Sequence, residues 1–456
     1  MLHLFSLFLL CPGGALAEPA AQPPNIVFIL ADDLGYGDLG CYGQKRIQTP
    51  NLDRLAAEGM RFTQCYAGST VCAPSRCALM TGFHTGHGTI RGNNPVPLRR
   101  NDVTVARVLK DGGYRTGLIG KWGLGLEDTT GIPNRQGFDS FFGYLGQVHA
   151  HNYYPDFLWK NQEKVRVSGN VVEEGVAIQP AQYAQDLFTR EALAFLEQER
   201  GKPFFLYLAY TIPHANNELG QVQGNGMEVP SDAPYSQEPW PQAQKNHAAM
   251  ITRLDADVGR IMKRLAELGL DKDTLVFFTS DNGPHQEGGA DPAFFHSAGP
   301  LRGHKRDLYE GGIRVPMIVR WPGKIQAGAV SNQVWAFWDF LPTAADLAGA
   351  KAPSGLDGIS MMPTLLGTGP ERQHDFLYWE FHEGGPAQAV RMGNWKGVRP
   401  APERPLELYN LEEDISEKTD AASIHPTIVS QIEAYLKSAR TKSAKWPIPR
   451  QAKQGS

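Results

Sequence analysis

The sequence predicts an α/β protein: a large, mainly parallel sheet sandwiched by helices, with a smaller α+β subdomain at the C-terminal end. Three observations predict it. Short continuous apolar runs read as strands buried on both faces, and segments with helical apolar spacing alternate with them. After about Leu347 the pattern changes to short strand candidates that succeed one another closely.

The first strand is Asn25–Leu30, NIVFIL. Pro50 opens a helix whose Leu52, Leu55 and Ala56 share one face, with Gly59 as its stop signal. Asp102 is placed to cap a helix over Val103–Lys110, again closed by glycine. Further strands are expected at Tyr114–Ile119, Phe204–Tyr210, Thr274–Thr279 and Val315–Val319. Between the third and fourth, His247–Leu268 carries Met250, Ile251, Leu254, Ile261 and Leu265 along one helical stripe. Pro, Gly and Ser in Ala352–Gly358 mark a linker or crossing loop. Strands at Asp375–Glu380, Ala389–Met392, Lys396–Val398 and Glu407–Tyr409 come next, then a helix near Pro426–Lys437. The expected organisation is a large unit over 24–346, a subdomain over 347–440 and a basic tail over 441–456. The last twenty residues hold six Lys or Arg and two Pro, which reads as a frayed, solvated end.

Over 456 residues, 41% hydrophobic and 20% charged is ordinary globular composition, which excludes a disordered or collagen-like chain. With 44 Lys+Arg against 48 Asp+Glu, no overall positive field is available for nucleic acid. An anionic substrate must therefore be gripped by a local cluster of cations. The start, MLHLFSLFLLCPGGALA, has an apolar run over Leu2–Leu10 and an A-x-A pattern at Ala15–Ala17, the form of a cleaved signal peptide over 1–17. The run is too short to span a bilayer, and no later stretch approaches that length. The absence of Lys or Arg before it leaves a buried N-terminal element as the alternative. The expected location is outside the cytoplasm, periplasmic or secreted. The five cysteines, at 11, 41, 65, 72 and 77, are too few for a disulfide scaffold and lack zinc spacing.

The residues just beyond the strands carry the chemistry. Leu30 leads to Asp32-Asp33, Ile119 to Lys121, Tyr210 to His214 and Thr279 to Asp281-Asn282. In parallel sheets ligands bind beyond the carboxyl ends of the strands, so four strands deliver these groups to one edge. Any one pair could be a turn or a cap; together they favour an active site. Asp32, Asp33, Asp281 and Asn282 are a hard oxygen set suited to calcium or magnesium and not to zinc. Cys72, in a Pro/Ser turn with Arg76 four residues on, is a setting that can depress a thiol pKa.

Cys72-Ala-Pro-Ser-Arg76 with Met80-Thr-Gly82 after it resembles the signature of the formylglycine-dependent sulfatase family, within the alkaline phosphatase superfamily. The resemblance extends from Pro24 to about Tyr409, through NIVFILADDLGYGD, Gly-Lys121-Trp, Ser-Asp281-Asn282-Gly and Leu301-Arg-Gly-His-Lys305 to Glu310-Gly-Gly-Ile-Arg-Val-Pro316. It implies a sulfatase fold, Ca²⁺ held by the four oxygen residues, and Cys72 converted by a formylglycine-generating maturation enzyme into a hydrate that also reaches the metal. Arg76, Lys121 and Lys305 correspond to the cationic shell, and His214 with Lys305 to the proton donor. The implied reaction is hydrolysis of a sulfate monoester, with a sulfated glycan as expected substrate. Many sulfatases read Gly-Lys-Trp-His-Leu-Gly, whereas here Gly123 replaces the histidine, which leaves the second-step base open between Lys121, His149 and His285.

Gln147, His149, His151, His285 and Arg302 are the expected substrate contacts, with Tyr153, Tyr154 and Trp159 offering stacking faces. Glu310 and Arg314 read as a structural pair. Two alternatives stay open: a phosphodiester or phosphonate monoester hydrolase on the same scaffold, and a non-catalytic glycan-binding protein.

Overall fold

A computed structural model describes residues 23–198 and 201–449. The expected signal segment and the end of the basic tail lie outside them. Among the described residues the main sheet has eleven strands. At its centre Thr274–Ser280, Asn25–Ala31, Phe204–Ala209, Arg115–Lys121 and Ser140–Tyr144 run parallel in that spatial order. The first three are buried along their whole length, which is why they read as unbroken apolar runs. Helices cover both faces, and the apolar core divides accordingly into two large clusters.

The strand expected at Val315–Val319 is present but departs from the parallel majority, and the cap expected at Asp102 needs correction. Arg314–Arg320 is not a parallel member, since it runs antiparallel to both Thr274–Ser280 and Met60–Tyr66. The chain between 281 and 313 contains no long crossover helix, so the strand starts from the edge where its predecessor ended. The loop bearing Lys305 is thereby kept at the carboxyl edge. Asp102 is not a cap: Thr104 caps Val105–Asp111 by accepting the amide of Arg107, while Asp102 binds Arg99 and Thr89. Thr at the true N-cap position competes well with Asp, and spacing alone did not choose between them.

The C-terminal subdomain is an antiparallel sheet of Leu377–Phe381, Ala387–Met392, Trp395–Arg399 and Glu407–Asn410. Helix Pro426–Leu436 lays Ile432 and Leu436 on it. A buried ion network ties this sheet to the main body. Lys396 Nζ lies 2.9 Å from Glu310 and 3.3 Å from Glu417, and Arg314 lies 3.2 Å from Glu310. Glu310→Ala would strand two buried cations without their shared carboxylate, and is expected to cost about 3–5 kcal/mol in denaturant unfolding.

The tail is not frayed where it is described. Trp446 is buried, its ring stands against Gly92, and Arg91 donates to the carbonyl and hydroxyl of Thr441. One aromatic residue outweighed the basic composition around it. Among the described residues Cys41, Cys65, Cys72 and Cys77 are all unpaired, and no helix is long and apolar enough to cross a membrane.

Candidate active site

Four strand ends and one helix start converge at the carboxyl edge of the sheet. Asn25–Ala31 delivers Asp32 and Asp33, Arg115–Lys121 ends on Lys121, and Thr274–Ser280 delivers Asp281 and Asn282. The loop after Phe204–Ala209 brings His214. Cys72 is the first residue of helix Cys72–Thr81, with Pro74 in the first turn where its missing N–H costs nothing. Arg76 lies one turn later on the same face.

These groups bind one another. Cys72 Sγ lies 3.3 Å from Asp32 Oδ1, and Lys121 Nζ lies 2.6 Å from Asp32 Oδ2. Arg76 Nε and Nη2 reach Asp281 at 3.0 and 2.8 Å, and its Nη1 donates to the carbonyl of Lys121. Lys305 Nζ donates to Asp33 at 2.9 Å, and Asn282 Nδ2 to the other Asp33 oxygen at 2.7 Å. Asp33 sits at φ 66°, a left-handed conformation held by its own amide donating to Asp281 Oδ1. All of these side chains are buried.

Burial would raise the Asp32 carboxyl, yet Lys121 and Arg76 hold it well below the usual range. Burial and the neighbouring Asp32 push Asp281 up to about 7, against the pull of Arg76. Asp281 is thus repelled by the neighbouring carboxylate of Asp32, a condition a divalent cation relieves. The donor set fits such an ion. Asn282 Oδ1 is buried with no hydrogen-bond partner, an acceptor waiting beside the three carboxylates. His214 has a ring nitrogen close enough to Asp32, Asp33 and Cys72 to share a metal ion with them, but both of its ring nitrogens are engaged within the protein. Its Nδ1 donates to the carbonyl of Ala215 at 2.7 Å and its Nε2 accepts from Lys305 at 3.1 Å.

The Cys72 thiol is not activated. Burial and then Asp32 push it well above its ordinary value, and Arg76 is engaged by carboxylates. The depressed thiol suggested by the Cys-to-Arg spacing is corrected: an unmodified Cys72 is a protonated, poor nucleophile. Burial, reinforced by the charge of Lys305, drives His214 well below its ordinary value, so its imidazole is neutral. Burial opposes the charge on Lys305, but Asp33 leads the groups that hold its ammonium above the usual range.

The five expected substrate contacts divide. His151 stacks on His214 with centroids 4.9 Å apart, and Glu218 holds its Nδ1 at 3.1 Å. His285 stacks on the other side of His214, but both ring nitrogens are taken, by the carbonyl of Pro213 and the amide of Glu287. Gln147 and His149 line a cavity that also reaches Gly123. Arg302 is not brought to the cluster: it donates to Tyr409 and the carbonyl of Glu417 and lies 3.7 Å over the Tyr309 ring. Tyr153 offers no stacking face either, being buried with its hydroxyl on the carbonyls of Thr211 and His214.

Glu287 is the functional neighbour that sequence reading passed over. It lies 2.9 Å from Lys305, and although burial opposes ionisation, Lys305 holds its carboxyl down at about 2. Its position two residues beyond His285, in the loop after the Asp281-Asn282 pair, was the available signal.

A family model described as Sulfatase matches residues 24–350, and one described as N-sulphoglucosamine sulphohydrolase, C-terminal, matches residues 303–442. Arylsulfatase A of Bos taurus is 35% identical over 411 residues, covering 83% of this chain and 75% of that protein. N-acetylgalactosamine-6-sulfatase of Mus musculus is 35% identical over 420 residues, covering 86% and 74%. Among solved structures, Ps i-CgsB in complex with k-i-k-neocarrahexaose superposes with a TM-score of 0.79 at 30% identity, covering 92% of this chain and 93% of that one.

Proposed function

The chain belongs to the sulfatase family and is a sulfuric ester hydrolase, and we propose that it is an exported, calcium-dependent enzyme that desulfates a carbohydrate through a formylglycine made from Cys72. The observation that carries this reading is the buried oxygen set of Asp32, Asp33, Asp281 and the unpartnered Asn282 Oδ1, with Cys72 Sγ 3.3 Å from Asp32. Bound there, calcium would neutralise a sulfate oxygen, and the hydrated aldehyde at position 72 would supply the attacking hydroxyl.

The chain's own residues divide the remaining work. Arg76 anchors Asp281 and Asp32 and so fixes the start of the nucleophile's helix against the metal set. Lys121 and Lys305 flank the cluster as the cations that meet the sulfate charge. Because His214 Nε2 accepts from Lys305, the lysine is the proton carrier of the pair and His214 orients it. The leaving alcohol oxygen takes its proton from Lys305 Nζ. Lys305→Ala is therefore expected to lower kcat by about 10²–10⁴ on an alkyl or sugar sulfate. On 4-nitrophenyl sulfate, whose leaving group needs no proton, the loss should be distinctly smaller. An equal loss on both would remove Lys305 from that role.

Support for a carbohydrate comes from the relatives. One solved relative was captured with neocarrahexaose, and another relative bears a name for sulfated N-acetylgalactosamine. The test is release of inorganic sulfate from a panel of sulfated oligosaccharides, with aryl sulfates and phosphonate monoesters alongside. Turnover of a sulfated sugar is the expected result. Turnover confined to phosphonate esters would overturn the reading.

A further inference from the structure

The loop that carries Lys305 places a second cation, Arg306, directly after it, and one carboxylate bridges the two. Lys305 Nζ lies 2.9 Å from Glu287 Oε2, and Arg306 Nη1 lies 2.5 Å from Glu287 Oε1. Arg306 Nε reaches Glu383 at 3.0 Å, in the turn after Leu377–Phe381 of the C-terminal sheet. A line of alternating charge thus runs from the antiparallel subdomain to the lysine of the catalytic cluster.

The ammonium has three hydrogens, and here it has three partners. Asp33 Oδ2 at 2.9 Å and His214 Nε2 at 3.1 Å take two of them, and both residues are buried. Glu287 takes the third from the more exposed side, its own side chain 19% exposed. Three contacts fix where the ammonium points, and Glu287 supplies the one nearest solvent.

Glu287 is itself held from two sides. His285 accepts the amide of Glu287 on Nδ1 and donates to the carbonyl of Pro213 through Nε2. That ties the loop of Glu287 to the loop of His214. Arg306 grips the other carboxylate oxygen. Its backbone lies at φ +78°, in the left-handed region, with its amide on the carbonyl of Thr70, two residues before Cys72. A left-handed arginine is strained, and ion pairs of a side chain 46% exposed add little to stability. Stability does not account for Arg306 in this place; alignment of the carboxylate does.

We propose that Glu287, braced by Arg306, is a positioning residue that aims the Lys305 ammonium at the leaving oxygen. The proposal rests on the proton-donor role given to Lys305 above, and it extends that machinery to the C-terminal sheet through Glu383. A misaimed donor costs most where the leaving oxygen most needs its proton.

The test compares wild type, Glu287→Gln and Arg306→Gly on aryl sulfates whose phenols fall in acidity, from 4-nitrophenyl through phenyl to 4-methoxyphenyl sulfate. Glutamine keeps the volume and one acceptor but cannot serve two cations. Glycine suits the left-handed backbone and removes only the side chain. Thermal melting of both variants is therefore expected to stay close to that of wild type. Their kcat should fall about 10²-fold on 4-methoxyphenyl sulfate and far less on 4-nitrophenyl sulfate, with KM little changed. A loss equal across the series, or one confined to KM, would overturn the proposal. So would faster turnover of the poor leaving groups by Glu287→Gln, the mark of a carboxylate that only restrains the acid.

NMR of the ammonium groups in protein with nitrogen-labelled lysine gives a readout independent of turnover. The signal that disappears in Lys305→Ala should exchange its protons faster in both variants, and unchanged exchange would overturn the proposal. Such failures in a wild type that releases sulfate would leave the sulfatase reading standing. A wild type that releases none from aryl or sugar esters would overturn that reading itself, and the proposal with it.

Discussion

Cys72→Ala is expected to remove essentially all turnover, a loss of 10⁵-fold or more, while the protein stays folded. The side chain is small, buried and at the first position of its helix, so alanine fits the space with little loss of packing. The chemical loss is large because no neighbour can replace the nucleophile. Lys121, Arg76 and Lys305 are all held as cations by carboxylates, and His214 has both nitrogens engaged. The thiol itself sets a sharper condition. Burial and Asp32 keep it protonated, so wild-type protein made without the maturation step should be as inactive as the alanine variant. Steady-state sulfate release from both preparations checks this. Substantial activity in unconverted protein would mean that the thiol acts directly.

The second large effect concerns the ion. Chelation is expected to cut activity by at least 10³-fold and to lower the melting temperature, both restored by calcium. At a hundredfold excess over its Kd, the ion adds about 2.7 kcal/mol of stability. Asn282→Ala removes the one unpaired acceptor of the set, together with the bond that holds Asp33 at 2.7 Å. It should raise the calcium needed for half-maximal activity tenfold or more, with partial recovery at saturating calcium. Thermal melts across a calcium titration separate this from simple misfolding. A variant whose calcium dependence matched wild type would take Asn282 out of the ligand set.

Asp32, Asp33, Asp281 and Asn282 were legible because strand ends in a parallel sheet point the same way, whereas Cys72, at the start of a helix, was legible through its Pro/Ser turn and the resemblance. An unbroken apolar run that leads into Asp-Asp or Asp-Asn therefore carries its own address. Lys305 was legible only through the resemblance, since its strand runs antiparallel and no rule of parallel crossovers locates its loop. His285, Arg302 and Tyr153 show the limit of reading residue type. Each is chemically suited to a sugar, but each is used up by backbone or ring contacts that depend on segments far away in the chain. That Gln147 fills the place of a side chain at Gly123 lay beyond reach for the same reason: a missing side chain signals nothing until the residue filling its place is known. Trp446 was hidden by its basic neighbours, since composition describes an average and a single buried ring does not move it.

The most direct measurement is the mass of the Cys72 peptide from active protein. Conversion of the thiol to the aldehyde lowers that mass by roughly 18 Da and marks the nucleophile the chemistry requires. The lighter peptide, in proportion to activity across preparations, is the predicted result. An unmodified Cys72 in fully active protein would contradict it.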